Sequence, residues 1–415
     1  MRRLWKGPVR LSPGGMSAAV DVMVEVPDSP GLLVVVDAPR AWRVDLGLFD
    51  PFGFRGWSGS TRRLVWVGEA GATPGYLPGR AIEGTWTVRL AAHSVPEAEA
   101  EVHLEVSAGD PLPSPEGQAE LRQLGSQGSS GRLAAEPLGG LPQQGDRRWL
   151  RGDLHSHTWH SDGVLSPQEL IALAGAHGLD FLAVSDHNTV SHHQHLGAAA
   201  EACGLMVIPA QEVTTDLGHA VAVGVREWID PWSPPSEWAA ATARAGGALI
   251  IAHPLDNSCS WRWPDLPPSS LIEVWNGHGS PNSGPHLRDY LERCLRLGGV
   301  GAVGGGDFHA LGRGRAPGHP TTWLWAEGDD VVSALREGPW SVSASPAGPV
   351  LLPIEEDLLL ALGAEGADLV ALSGSRRRVR KQREEMPTNP EPHWLEAGGQ
   401  VLSAWLPKMP APFVR

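Results

Sequence analysis

The sequence predicts two unlike folds in series, an all-β sandwich followed by an α/β sheet or barrel. Three observations carry this. Short alternating or β-branched runs fill the first hundred positions, strands alternating with amphipathic helices begin at residue 149, and a Pro/Gly/Ser-rich stretch without sustained periodicity separates them. A chain of 415 residues is also too long for one ordinary core, so its length implies two or three domains.

Taken in order, residues 1–108 contain SAAVDVMVEV, LLVVVDA, WRVDLGLF, RRLVWVGE, GTWTVRLAAH and AEVHLEVSA, with Pro, Gly, Asp and Ser between them. That spacing predicts an antiparallel sandwich. Residues 109–148 read as a linker, partly disordered. From 149 to 345, strands such as WLRGDLH, FLAVSDH, LMVIPAQE, ALIIAHP and VGAVGGGD alternate with helices such as PQELIALAGAHG and SEWAAATARAG, the pattern of a parallel sheet or barrel. Ser166, Pro167 and Glu169 have capping-box spacing at a helix start. Residues 346–415 are predicted to be a C-terminal appendage, either a small β unit or partly disordered.

The formal net charge of −14 argues against a long nucleic-acid surface, because a phosphate backbone requires a field of the opposite sign. A small anionic substrate held by metal ions stays open. No apolar run suits a secretory signal or a membrane span, so the expectation is a soluble cytoplasmic protein of unspecified oligomeric state. Cys203, Cys259 and Cys294 are widely spaced and read as small buried apolar side chains. Lysine occurs only at Lys6, Lys381 and Lys408.

Fourteen of the 17 histidines lie between residues 151 and 320, and several close a predicted strand. In α/β sheets and barrels that is the edge where active sites are built. GDLHSHT places His155 and His157 two apart, on one side of a strand end, and Asp162 follows in HSDG. SDHN carries Asp186 and His187, IPAQE ends on Glu212, GHAVAVG opens with His219, IIAHP ends with His253, and GGGDFH supplies Asp307 and His309. Each alone has a plain structural explanation. Jointly, at successive strand ends, they predict a metal site of imidazole and carboxylate ligands.

These five segments, GDLHSHTWHSDG, FLAVSDHNT, IPAQEV, LIIAHP and GGGDFH, resemble in order and spacing the motifs of the PHP superfamily, the polymerase and histidinol phosphatase domain. The resemblance covers residues 149–345. With the preceding sandwich, the chain looks like the metallohydrolase group related to bacterial carbaryl hydrolase. It implies a distorted seven-stranded (β/α) barrel with two or three divalent ions, Zn, Mn or Fe. By motif, His155, His157, Glu212 and Asp307 would bind the first, Glu212, His219 and His253 the second, and Asp162, His187 and His309 the third. Aspartate at 162 departs from the all-histidine variant of that third site.

The expected activity is hydrolysis of a small phosphate mono- or diester, by a metal-bridging water held through Glu212 and Asp307 and ionised near neutrality. A carboxylic or carbamic ester hydrolase using the same cluster is the alternative, and a non-catalytic binding module the third. The amidohydrolase class also opens with HxH, but its bridging carbamylated lysine has no counterpart, since this barrel contains no lysine. Asp153 and Asp186 are candidates to orient an imidazole. Arg313, Arg315, Asn276 and His278 are candidate substrate contacts, and Trp275 is expected in the core. His192, His193 and His195 are expected at the surface, and His160 on a rim or loop.

Overall fold

The computed structural model describes residues 1–94, 100–110, 138–277, 284–299, 301–312 and 315–408. The first nine strands are β1 (Arg2–Leu11), β2 (Gly15–Val26), β3 (Gly31–Asp37), β4 (Arg43–Asp50), β5 (Gly53–Ser58), β6 (Leu64–Gly68), β7 (Gly71–Ala72), β8 (Gly84–Ser94) and β9 (Ala100–Ala108). They form two antiparallel sheets, β1-β9-β3-β6-β7 and β2-β8-β4-β5. Val34, Val36, Leu46, Leu48, Trp86, Val88 and Leu104 share one buried core, as two apolar sheet faces require.

The catalytic-type segments lie on a second system. It comprises β10 (Gln143–Gln144), β11 (Arg147–Asp153), α1 (Pro167–Ala176), β12 (Phe181–Val184), α2 (Leu196–Cys203), β13 (Met206–Thr215), β14 (Gly218–Val223), α3 (Pro235–Arg244), β15 (Ala248–Ala252), β16 (Leu271–Asn276), α4 (Gly284–Leu297), β17 (Gly301–Gly305), β18 (Thr321–Glu327), α5 (Val331–Glu337) and β19 (Trp340–Ser343). The capping box forms at α1: Ser166 Oγ accepts from the Glu169 amide, and the Glu169 carboxylate accepts from the Ser166 amide at 2.8 Å.

The sheet runs β17-β16-β15-β14-β13-β12-β11-β18-β19 and is mixed, not uniformly parallel. β13 turns back through a two-residue hairpin at Asp216 and Leu217, so β14 is antiparallel to both neighbours. With no room for a crossover helix there, a parallel return is impossible. Its consequence is functional: the start of β14, with His219, reaches the same edge as the end of β13, with Glu212. The sheet curls until β17 meets β18, where the Thr322 hydroxyl donates to Gly304 O (2.7 Å) and accepts from Gly304 N (2.8 Å). A side chain, not a backbone ladder, bridges that seam.

Beyond β19 the chain is ordered β structure through residue 408: β20 (Val350–Glu355), β21 (Leu358–Leu362), β22 (Asp368–Ala371), β23 (Arg376–Arg378), β24 (Arg383–Pro387), β25 (His393–Ala397) and β26 (Gln400–Trp405). β26 pairs with β19, extending the large sheet by β26-β25-β22-β23, while β20-β21-β24 forms a separate sheet. The end of the expected linker is likewise structured, since Gln143–Gln144 pairs with β11; residues 111–137 lie outside the described residues. No helix among the described residues is long and apolar enough to cross a membrane.

The two parts meet through aromatic rings. Phe54 of the sandwich stacks on Trp228 with centroids 4.2 Å apart, Trp57 meets Trp232 edge-on at 5.2 Å, and Arg89 lies over Trp232 at 4.3 Å. Such contacts between large rigid rings fix one part against the other.

Candidate metal centre

Backbone hydrogen bonds first align the strand ends. The His157 amide donates to Phe308 O (2.9 Å), Glu212 N to Ser185 O (3.0 Å) and Asn188 N to Glu212 O (2.9 Å), so the HxH, SDHN, AQE and GGGDFH segments lie side by side. Asp153 is fully buried and accepts from the amides of His155, Gly306 and Gly318. It therefore clamps two loops and orients no imidazole directly. The glycine run is required by close approach: a Cβ on Gly305 would lie 2.0 Å from Glu273 Oε1 and 2.6 Å from His155 Cβ, and one on Gly306 2.3 Å from Asp153 Oδ2.

Glu212 is the centre of the cluster. One of its oxygens, Oε2, lies 2.6 Å from His187 Nδ1, 3.4 Å from His155 Nε2 and 3.5 Å from His157 Nε2; the other lies 3.0 Å from His219 Nδ1 and 3.3 Å from His253 Nε2. Asp307 Oδ1 is 3.1 Å from His157 Nε2 and 3.4 Å from His155 Nε2. Asp162 Oδ1 is 3.2 Å from His309 Nε2 and 3.6 Å from His187 Nε2. All nine residues singled out from the motifs thus converge, in overlapping groups with metal-ligand spacing. His253 (φ 28°) and Asp307 (φ 47°) both hold left-handed backbone, a strain that packing must sustain and that clusters at functional sites.

The donor atoms are poorly served by the protein itself. His155 Nε2, His157 Nε2 and Glu212 Oε2 are buried with no hydrogen-bond partner of proper geometry among the described residues. Buried polar atoms left so are costly unless a ligand takes them up. Burial alone would raise the Glu212 carboxyl, but His187, His155 and His219 outweigh it and hold it well below the usual range; burial and His155, His157 and His309 act likewise on Asp307. Burial opposes charge on His155, yet Asp307, Glu212 and Glu273 push it well above an ordinary imidazole. Anionic carboxylates facing imidazole nitrogens across 3–3.5 Å are a donor set in which a divalent cation replaces protons.

The surrounding residues include one the motifs did not reveal. Glu273, buried on β16, meets His155 Nδ1 at 3.1 Å and accepts from the His253 amide at 2.8 Å. Its only sequence signal is an acid inside the apolar run LIEVW. Asn276 is buried behind the cluster, donating to Glu273 at 2.9 Å and reaching Asp307 Oδ2 at 3.5 Å, so it contacts ligand-type residues instead of the open cavity. Arg315 is exposed in a tight turn with Gly312, outside that cavity; Arg313 and His278 lie outside the described residues. Asp186 is buried and accepts from the amides and hydroxyls of Thr158 and Ser161, shaping the loop that presents Asp162. Trp275 packs in the core.

Three expectations are corrected here. His192 is fully buried, with Nε2 donating to Val184 O at 3.0 Å, and His193 and His195 are half-buried. His160 is buried as well, its Nδ1 2.8 Å from Ser191 Oγ, because the sandwich covers it at Gly75. Of the cysteines only Cys294 is buried; Cys203 is exposed, and Cys259 Sγ lies 3.2 Å from His253 Nδ1 at the edge of the cluster.

The sandwich also reaches the loop carrying Asp162. Arg62, buried, donates through its guanidinium to Ser161 O (3.1 Å) and Trp159 O, and Thr61 Oγ1 to Ser161 O (3.4 Å). Between the two parts lies a cavity of about 430 Å³, with Asp162, His187 and His219 on one side and Arg43, Asp45 and His93 on the other.

Against curated proteins, the chain is 42% identical over 64 residues to a 5'-3' exoribonuclease of Haemophilus influenzae, and 36% identical over 86 residues to a 3',5'-nucleoside bisphosphate phosphatase of Chromobacterium violaceum. These matches take in 15% and 20% of this chain and 23% and 29% of those proteins, so the chain spans less than a third of either relative. Local identity of this order joins the five-motif cluster just described. Both observations are in keeping with the resemblance of residues 149–345 to the PHP superfamily. No family model matches the chain. Among solved structures, a two-domain protein containing a predicted PHP-like metal-dependent phosphoesterase, from Bacteroides vulgatus, covers 67% of this chain and 91% of its own at 17% identity, with a TM-score of 0.41. In this chain the strand-end cluster and the sandwich line one cavity together.

Proposed function

We propose that this protein is a metal-dependent phosphoesterase hydrolysing small phosphate mono- or diesters at the strand-end cluster. The observation that carries the reading is the set of five imidazoles around the buried Glu212, in which His155 Nε2, both nitrogens of His157 and Glu212 Oε2 lack a hydrogen-bond partner of proper geometry among the described residues. The residues fit divalent ions: His155, His157, Glu212 and Asp307 would hold one, Glu212, His219 and His253 a second, and Asp162, His187 and His309 a third. The donors are nitrogen and oxygen, which suits Zn²⁺, Mn²⁺ or Fe²⁺. In this reading β11–β17 of the curled mixed sheet correspond to the seven strands of the superfamily's distorted barrel, with β14 as the reversed member and β18 added beside β11. The two curated relatives, an exoribonuclease and a nucleoside bisphosphate phosphatase, both act on phosphate esters, which supports the substrate class.

Bound there, such ions supply Lewis acidity toward phosphoryl oxygens and lower the pKa of a water. The chain's own residues do the rest. Glu212 and Asp307 stay ionised, Glu273 accepts a hydrogen bond from His155 Nδ1–H and so leaves Nε2 as the lone-pair nitrogen, and the His309 Nδ1–H donates to Asp307 O at 2.8 Å and turns its Nε2 to Asp162. Fixed tautomers spare the site reorganisation. The cavity beside them lies in the size range of small-molecule sites.

The test is a panel of p-nitrophenyl phosphate, bis-p-nitrophenyl phosphate and a naphthyl carbamate, with Mn²⁺, Zn²⁺ or Fe²⁺ added and metal content measured. Turnover of a phosphate ester that is lost in His155→Ala supports the proposal. Turnover of the carbamate alone sinks it.

A further inference from the structure

The cavity wall opposite the cluster comes from another domain, and its charges are distributed unevenly. His93, on β8 of the sandwich, lies between two carboxylates: Nε2 is 2.7 Å from Asp45 Oδ2, and Nδ1 is 3.3 Å from Asp216 Oδ1 on the β13–β14 hairpin. Asp216 Oδ2 further accepts the Met16 amide at 2.8 Å. Asp216 and Asp45 raise the His93 imidazole to about 10, so it is a cation at neutral pH and both acids beside it are engaged. The two arginines of the cavity are placed differently. Arg43 on β4 is exposed, and its guanidinium makes no hydrogen bond or ion pair with any other described residue. The guanidinium of Arg262, on the barrel side, donates to the backbone oxygen of Asp216 and to no carboxylate among the described residues.

In a chain of net charge −14, two guanidiniums without carboxylate partners, facing one cavity from two domains, are out of keeping with the acidic composition. Two carboxylates against one imidazolium and two guanidiniums leave the rim with net positive charge. A guanidinium offers a planar fork of donors matched to carboxylate or phosphate. The ester-binding end of the cavity is already assigned to Asp162, His187 and His219, so a cationic rim serves another part of the ligand.

We infer that Arg43 and Arg262 form a substrate subsite, shared between sandwich and barrel, for an anionic group at the end of the substrate remote from the scissile ester. The inference rests on the phosphoesterase reading and deepens it, because it names the substrate class as dianionic at two separated points. It also gives the sandwich a role in specificity, with the Asp45–His93–Asp216 bridge holding the two walls of the subsite in register. The aromatic contacts of Phe54, Trp57, Trp228 and Trp232 keep that register rigid.

Two measurements on the full-length, metal-loaded protein test this. The first compares kcat/KM for phenyl phosphate with that for 3- and 4-carboxyphenyl phosphate, in wild type, Arg43→Ala, Arg262→Ala and Arg43→Lys. The expected result is a preference of roughly tenfold or more for a carboxylated ester in wild type, reduced to about twofold by either alanine and partly kept by lysine. The second measures calorimetric Kd values for phenylphosphonate and its 3- and 4-carboxy derivatives, which cannot be hydrolysed. The same ratio should appear there and fall with added salt. Equal affinities in wild type, or a preference that survives Arg43→Ala with Arg262→Ala, overturns the subsite. Failure to hydrolyse any of the phosphate esters defeats the phosphoesterase reading instead, and the phosphonate ratio still decides the subsite.

Discussion

Six imidazoles at the strand ends, His155, His157, His187, His219, His253 and His309, share this face of the curled sheet with a second group formed by His160, His192 and His193. Members of both groups are buried, so burial does not separate them. What separates them is what their nitrogens meet. In the second group Ser191 Oγ faces His160 Nδ1 at 2.8 Å, Val184 O faces His192 Nε2 at 3.0 Å, and Ala210 O faces His193 Nε2 at 3.0 Å. Burial drives His192 down to about 4 and His193 to about 3, with neighbouring imidazoles adding to it and the backbone acceptors opposing, so they are uncharged at neutral pH. In the first group the partners are carboxylates, and His187 is raised to about 10 in spite of its burial. The strand-end histidines face carboxylates shared with other imidazoles, whereas His160, His192 and His193 each meet a hydroxyl or backbone carbonyl, His192 with the Asp186 carboxylate beside it as well at 3.1 Å.

The comparison breaks most visibly at its centre. Glu212→Gln removes one negative charge from the point where five imidazoles meet, and should lower turnover by roughly 10³-fold or more, with loss of bound metal by elemental analysis. Retention of both would place the site elsewhere. Glu273→Gln is the next largest: it keeps the shape but loses the anion behind His155 Nδ1, and metal affinity should fall roughly 10- to 100-fold in a competition titration against a chelator. A smaller effect, about tenfold and confined to the most weakly held ion, is expected from Arg62→Ala, which frees Trp159 O and Ser161 O and with them the loop carrying Asp162. Added guanidinium should restore that ion in part.

Legibility of the sequence divides along the same line. The nine strand-end residues were readable because each stands in a short local motif, where strand termination and residue type are visible together. The sandwich was readable too, from alternation such as AEVHLEVSA. The reversed strand β14 was not, since GHAVAVG carries the same apolar signal in either direction and only the two-residue connection at Asp216 and Leu217 decides it. Glu273 was hidden because an acid in LIEVW acquires meaning only when His155, 118 positions earlier, is packed against it. His160 looked like a rim residue for the same kind of reason: its cover arrives from Gly75, 85 positions away. The linker's last residues and β26-β25-β22-β23 were hidden because they add strands to edges already present, at β11 and β19, while β20, β21 and β24 form a sheet of their own.

The smallest effect on chemistry, and the sharpest test of the comparison, belongs to His192→Asn. This change removes a buried imidazole as deep as His155, but one bonded to Val184 O and lying 3.1 Å from Asp186. The variant should lose about 1–3 kcal/mol of stability in urea unfolding, the consequence of disturbing a buried hydrogen bond, while its metal content stays that of wild type. Its pH dependence has a definite sign. With the folded pKa of His192 near 4 and an unfolded value near 6.5, the unfolded chain binds the extra proton between those limits. The stability of wild type associated with this residue is therefore fully present above pH 6.5 and declines as the pH falls toward 4. Asparagine does not titrate, so the variant's stability should fall less steeply over that window. If His192→Asn instead emptied the metal site and left the acid limb unchanged, the division between the two groups of histidines would not stand.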